Sequence, residues 1–134
     1  MQFQNPKYHG EIDVLTHTKM VCEEMVKQDE YKCGSDIERT VLFWAALLHD
    51  ITKKLDVDGQ LLLIDKYGII ISNSERENPK LLHAITGSEF ARREFGVSQE
   101  IFDAIRWHTT GRPKMSMLEK VIYLADCIEP NRSY

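Results

Sequence analysis

The stretch Val41-Leu-Phe-Trp-Ala-Ala-Leu-Leu-His-Asp-Ile-Thr-Lys53 decides the fold of this chain: an apolar helical run that passes without a break into a histidine beside an aspartate. Positions 37, 41, 44, 45 and 48 recur at helical spacing and predict a core-facing stripe. That stripe carries His49 and Asp50 to the end of a well-anchored helix, which suits metal ligation because coordination geometry tolerates little looseness. Taken alone, the pair reads more simply as a core histidine bonded to a carbonyl, beside a helix-end aspartate. The rest of the chain argues for the metal.

Upstream, residues 1–11 read as an irregular lead-in with Asn5-Pro6 and His9-Gly10, and Asp13 as the cap of a helix reaching about Lys27. Val14, Val21 and Met25 share one face of it and direct His17 inward. Asp29 to Ser35 is expected to be a loop, with Asp36 capping the central helix. Downstream, Asp56, Asp58 and Gly59 mark a turn before a short helix through Leu61 to Tyr67. Ile69 to Ile71 is extended packing, too short for a sheet without partners, and Ser72 to Asn78 an exposed loop. Asn78-Pro79 opens a helix ending near Gly96 with His83 in its second turn, and Ser98 caps another that closes on Trp107-His108. Ser116 and Glu119 form a capping box for a last helix that buries Leu118, Val121, Ile122 and Ala125. Asp126 sits in that apolar context, where a carboxylate needs a partner. Almost every element is helical, so the fold class is all-α: a helical bundle.

At 134 residues the chain is expected to form one domain, 1–134, with a proper core and one principal site. A net charge of −4 argues against a broad nucleic-acid surface, which needs clustered Lys and Arg, but leaves room for a small anionic ligand held by local cations. Cys22, Cys33 and Cys127 are odd in number and form no C-x-x-C pair, so neither a disulfide framework nor a thiolate zinc site is indicated. No signal-like segment or membrane-length apolar run is present, and the expected compartment is the cytoplasm.

His17, His49, Asp50, His83, His108 and Asp126 each fall within a helix or at its end, far apart in sequence. A site in a bundle core is built that way, each facing helix giving one or two inward ligands. Four imidazoles and two carboxylates exceed a structural tetrahedral zinc site and suit iron, manganese or zinc. Two adjacent metals would use all six, with Asp50 bridging; one metal on His17, His49, Asp50 and Asp126 would leave His83 and His108 to bind substrate or move protons. A metal pair lowers the pKa of a bound water and clamps a phosphoryl oxygen, so phosphoester or phosphoanhydride hydrolysis by metal-bound hydroxide is the natural reaction. Lys53, Arg112 and Arg132 are candidate phosphate-neutralising cations, and Thr109, Thr110 and Gly111 form a polar loop suited to phosphate contacts.

On these residues the chain resembles the HD superfamily of metal-dependent phosphohydrolases, His17, His49-Asp50 and Asp126 matching its H…HD…D pattern. From about Leu47 onward it resembles the YqeK family in particular. The stretches that carry this are Leu47-Leu-His-Asp-Ile-Thr-Lys53, Leu81-Leu-His-Ala84, His108-Thr-Thr-Gly111 and Tyr123-Leu-Ala-Asp-Cys-Ile-Glu-Pro-Asn-Arg132. The resemblance implies two metals, iron foremost, with His83 and His108 serving the second, and symmetrical hydrolysis of diadenosine tetraphosphate to two ADP. The expected catalytic residues are Asp50 and Lys53, the latter one helical turn after His49, and a homodimer is left open. The segment Asn5 to Thr18 instead looks like the start of HD domains joined to tRNA nucleotidyltransferases, and the chain stops at Tyr134, where YqeK proteins continue through further helices. Two alternatives follow: another HD phosphohydrolase acting on nucleotides or RNA ends, or a metal-bearing nucleotide-binding module without turnover.

Overall fold

Most helix starts in this chain are fixed by a small polar side chain. In the computed structural model, which describes residues 6–130 and side chains from Val14 onward, Ser35, Ser72 and Ser116 each build a reciprocal capping box, with Glu38, Glu75 and Glu119. Asp56 accepts from the Gly59 amide at 2.8 Å and Ser98 from that of Ile101 at 3.4 Å. These caps satisfy amides that a helix start leaves without partners. The resulting elements are α1 (Pro6–Lys27), α2 (Asp29–Cys33), α3 (Asp36–Leu48), α4 (Val57–Tyr67), α5 (Asn73–Glu77), a 3₁₀ turn (Pro79–Leu81), α6 (Leu82–Phe95), α7 (Gln99–Trp107) and α8 (Met117–Ile128). Gly68 and Gly96 close α4 and α6 in the left-handed conformation that favours glycine.

Several expected boundaries are corrected. Residues 6–11 are helical, because Pro6 at a first helical position has no amide hydrogen to satisfy; residues 1–5 lie outside the described residues. The expected loops at 29–35 and 72–78 contain short helices, the second opened by the Ser72–Glu75 box. Ser35, rather than Asp36, caps α3, and the 3₁₀ turn precedes α6. Ile69–Ile71 carries neither helix nor strand, and Ile69 and Ile71 pack on Ile64, Leu82 and Ile85.

The buried stripe of α3 also differs. Leu42, Ala45, Ala46 and Leu48 are buried, whereas Trp44 is 45% and Ile37 77% exposed. Leu42, Ala45, Ala46 and His49 stand at i, i+3, i+4 and i+7, so the core stripe runs one position around from the expected one and ends on His49 itself. Small side chains win these places because α1, α7 and α8 all pack on α3. Ala45, Ala46, Ala91, Ala104 and Ala125 are fully buried in one cluster with Val21, Met25, Ile105, Val121 and Ile122. Alanines there let the helix axes approach, and that close approach brings side chains from α1, α3, α7 and α8 to one point.

Candidate metal centre

His49 and His108 reach the centre by the same local device. Each follows the last residue of its helix, and its Nδ1–H donates to the carbonyl three residues back, His49 to Ala46 at 2.5 Å and His108 to Ile105 at 2.6 Å. The bond satisfies an end-of-helix carbonyl, fixes the ring and leaves the Nε2 lone pair aimed inward. His17, on the buried face of α1, is held from α8: its Nδ1 lies 3.1 Å from Glu129 Oε2 and its Nε2 2.8 Å from Asp126 Oδ1. Glu129, almost wholly buried, was not singled out from sequence, although its spacing of three from Asp126 puts both on one helical face.

The six expected ligands converge into two donor groups. His17, His49, Asp50 and Asp126 form one and Asp50, His83 and His108 the other, the donor atoms of each lying within 4.8 Å of one another. Asp50 belongs to both through different oxygens. Its Oδ2 lies 3.3 Å from His17 Nε2 and 3.4 Å from His49 Nε2, while Oδ1 lies 3.1 Å from His83 Nε2 and 3.3 Å from His108 Nε2.

These residues fit metal ions on their own chemistry. His49 Nε2 is buried without a hydrogen-bond partner; since Nδ1 donates to Ala46, it is an acceptor facing the acceptor oxygens of Asp50 and Asp126 at 3.4 and 3.6 Å. Only a cation or a proton reconciles such a set. His83 and His108 likewise bring their Nε2 atoms within 3.3 Å. In the metal-free chain, burial opposes charge on His49, but Asp50 and Asp126 outweigh it and push its pKa up to about 10. Burial also opposes the two carboxylates, yet the facing histidines hold both below the usual carboxylate range. For His108 burial prevails and lowers the pKa. The buried carboxylates thus favour positive charge beside them.

A network behind the centre fixes the turn that carries Asp50. Thr52 Oγ1 donates to the His83 carbonyl at 2.9 Å, Gln60 Nε2 to the Thr52 carbonyl at 2.7 Å, and the Thr86 hydroxyl to Gln60 Oε1. Gly87 makes this contact possible: a Cβ there would stand 3.2 Å from Thr52 Oγ1. Gln60 shares a face with Ile64 and Tyr67, a polar residue on an apolar stripe, and that was its one signal in the sequence.

The other expected residues divide. Lys53 lies at the centre, its Nζ 2.8 Å from Asp50 Oδ2, and Thr109 lines a cleft with Lys53 and His83. Arg112 Nε makes an ion pair with Glu119 Oε1 at 2.7 Å and Nη2 with Asp103 at 3.2 Å. A buried capping glutamate needs that charge, and the two ion pairs let Arg112 tie α7 to α8. The Gly111 amide donates to the Trp107 carbonyl at 2.8 Å and closes α7, with φ of 67°. Thr110 is exposed and its hydroxyl donates to the Gly111 carbonyl. Arg132 lies outside the described residues.

An all-helical domain holding His17, His49-Asp50 and Asp126 around one point is the architecture of an HD domain, and residues 12–131 match that family; the chain belongs to the HD domain family. Among relatives, it is 40% identical over 119 residues to the symmetrical bis(5'-nucleosyl)-tetraphosphatase of Bacillus subtilis (strain 168), covering 88% of this chain and 62% of that protein. It is 42% identical over 106 residues to the protein of the same name from Halalkalibacterium halodurans, covering 75% and 53%. A crystal structure of a predicted HD superfamily hydrolase involved in NAD metabolism, from Clostridium acetobutylicum, superposes with a TM-score of 0.77 at 32% identity, covering 89% of this chain and 62% of that one. The chain thus spans between half and two thirds of the length of these relatives. Among the described residues, no helix is long and apolar enough to cross a membrane.

Proposed function

We propose that this chain is a metal-dependent phosphohydrolase that cleaves diadenosine tetraphosphate symmetrically into two ADP, with a pair of metal ions, iron foremost and manganese or zinc as substitutes. The observation that carries the reading is Asp50, one carboxylate offering each of its oxygens to a separate donor group. The names of the relatives supply the substrate. When bound, the metals supply Lewis acidity toward a phosphoryl oxygen and acidify a coordinated water.

The chain's own residues do the rest. Asp50 sets the spacing of the two halves, and Glu129 holds the His17 ring. Lys53 is half open to solvent on a flexible stem, so its ammonium can pivot from Asp50 Oδ2 to a phosphate oxygen of an arriving substrate. Both nucleotides leave with two phosphates only if the centre engages an internal phosphorus, next to the central bridging oxygen. The nucleotide substrate and the thiols of Cys22 and Cys33 suit a reducing cytoplasm.

The test is product analysis in ¹⁸O-labelled water with Fe- or Mn-loaded protein. The expected result is two ADP per substrate, with one label in one ADP of each pair. ATP plus AMP, or no metal-dependent turnover, would overturn the reading.

A further inference from the structure

Thr52 stands in the turn between α3 and α4, two residues after Asp50, and is 4% exposed. A buried hydroxyl needs a partner, and this one finds it on another element. Its Oγ1 donates to the His83 carbonyl at 2.9 Å and lies 2.9 Å from Thr86 Oγ1, both residues on α6. One side chain thus straps the turn that carries Asp50 to the helix that carries His83, and across that junction Asp50 Oδ1 lies 3.1 Å from His83 Nε2. Gln60 on α4 braces the strap, donating to the Thr52 carbonyl at 2.7 Å and accepting from Thr86.

Gly87 answers to the same contact. In a helix the carbonyl of residue i points at residue i+4, so a hydroxyl that reaches the His83 carbonyl must lie close to Gly87. A Cβ at Gly87 would stand 3.2 Å from Thr52 Oγ1, but at an ordinary 3.7 Å from both Ile51 and Ile105. Glycine inside a helix is less stable than alanine, and the one tight neighbour that calls for it here is the Thr52 hydroxyl. Packing of α6 by itself would favour alanine; the strap does not.

We infer that Thr52 is a positioning residue for the second donor group: its bond to the His83 carbonyl sets the distance from His83 Nε2 to Asp50 Oδ1, and with it the affinity of that group for metal. The Thr52 side chain bonds to α6, whereas His17, His49 and Asp126 of the first group come from α1, the end of α3 and α8, so the two groups are tuned unequally. The inference rests on the two-metal reading of the centre, but it makes a separate claim about which residue tunes the second metal.

Stepwise calorimetric titration of the metal-stripped full chain with Mn²⁺ reads each group, and electron paramagnetic resonance reads the exchange-coupled pair. Thr52→Ala should weaken the second Mn²⁺ about tenfold, leave the first unchanged and reduce the coupled-pair signal at two equivalents. Thr52→Ser keeps the hydroxyl and should bind both ions as the parent does. Gly87→Ala should reproduce the tenfold loss in the parent yet add nothing to Thr52→Ala, where the atom it meets is gone. A merely structural strap would weaken both ions together, in step with the melting temperature in chelator. Equal weakening of both ions, parental affinities in Thr52→Ala, or a Gly87→Ala loss that persists without the hydroxyl would overturn the inference. A parent that takes up two Mn²⁺ while Thr52→Ala does so equally well loses this inference alone; a parent that takes up only one loses the two-metal reading and this inference with it.

Discussion

Asp50 is the one residue common to both donor groups, which separates its loss from that of any histidine. If the centre holds two metals, His83→Ala should drop the stoichiometry from about two per chain to about one, whereas Asp50→Ala should drop it below one and abolish hydrolysis. Elemental analysis of the purified variants reads this directly. A parent holding about one metal, with none lost in His83→Ala and nearly all lost in Asp50→Ala, would favour a single metal with His83 and His108 free for substrate. Glu129 acts at one remove, through His17 Nδ1. Glu129→Gln keeps a hydrogen-bonding side chain of the same size but removes the charge behind the imidazole, so metal affinity should fall about 10–100-fold with both sites still fillable at high metal. Unchanged affinity would reduce Glu129 to packing.

The helix ends, more than the helix bodies, make the site. α3 and α7 end in the same His-to-carbonyl bond, and α8 ends in Asp126 and Glu129 facing His17. The residues that the fold gathers into the two donor groups were legible in the sequence, because a histidine closing an apolar run or an aspartate inside one stands out against its neighbours. The roles of cations were not, since a lysine or arginine reads the same whether it meets phosphate or a buried glutamate that only the fold brings near. Arg112 shows this: nothing in Thr109-Thr-Gly-Arg112 announces Glu119. The α3 stripe was misplaced for a related reason, since periodicity favours the large Trp44 while packing on several helices rewards alanine. The assignment of Arg112 is testable at this scale. Arg112→Ala should lower the melting temperature by leaving Glu119 without its cation, with metal content and kcat/KM for diadenosine tetraphosphate unchanged. A variant of normal stability with raised KM would return Arg112 to the substrate.

For the whole molecule, the centre joins two cores: the large cluster of α1, α3, α7 and α8, and the smaller one of Ile64, Leu82 and Ile85. The metal-free chain is held at their junction by a proton, because His49 sits between Asp50 and Asp126 with its pKa pushed up to about 10. A histidine raised above its unfolded value, about 6.5, contributes stability that is fully present below that pH and is lost as pH rises through the folded value. The depressed carboxylates act at the other end, their contribution being present above the ordinary carboxylate range and lost on acidification. Coordination through His49 Nε2 requires the neutral ring, so a loaded chain gives up that proton and escapes the alkaline loss. Stabilisation by a fixed concentration of free Mn²⁺ should therefore grow from about pH 6.5 to about pH 8.5, by about 1.4 kcal/mol per pH unit for each proton displaced. Paired thermal melts with metal and with chelator, across that range, measure it. If the gap between the two melting curves stays constant with pH, no proton leaves on loading and His49 is not a ligand.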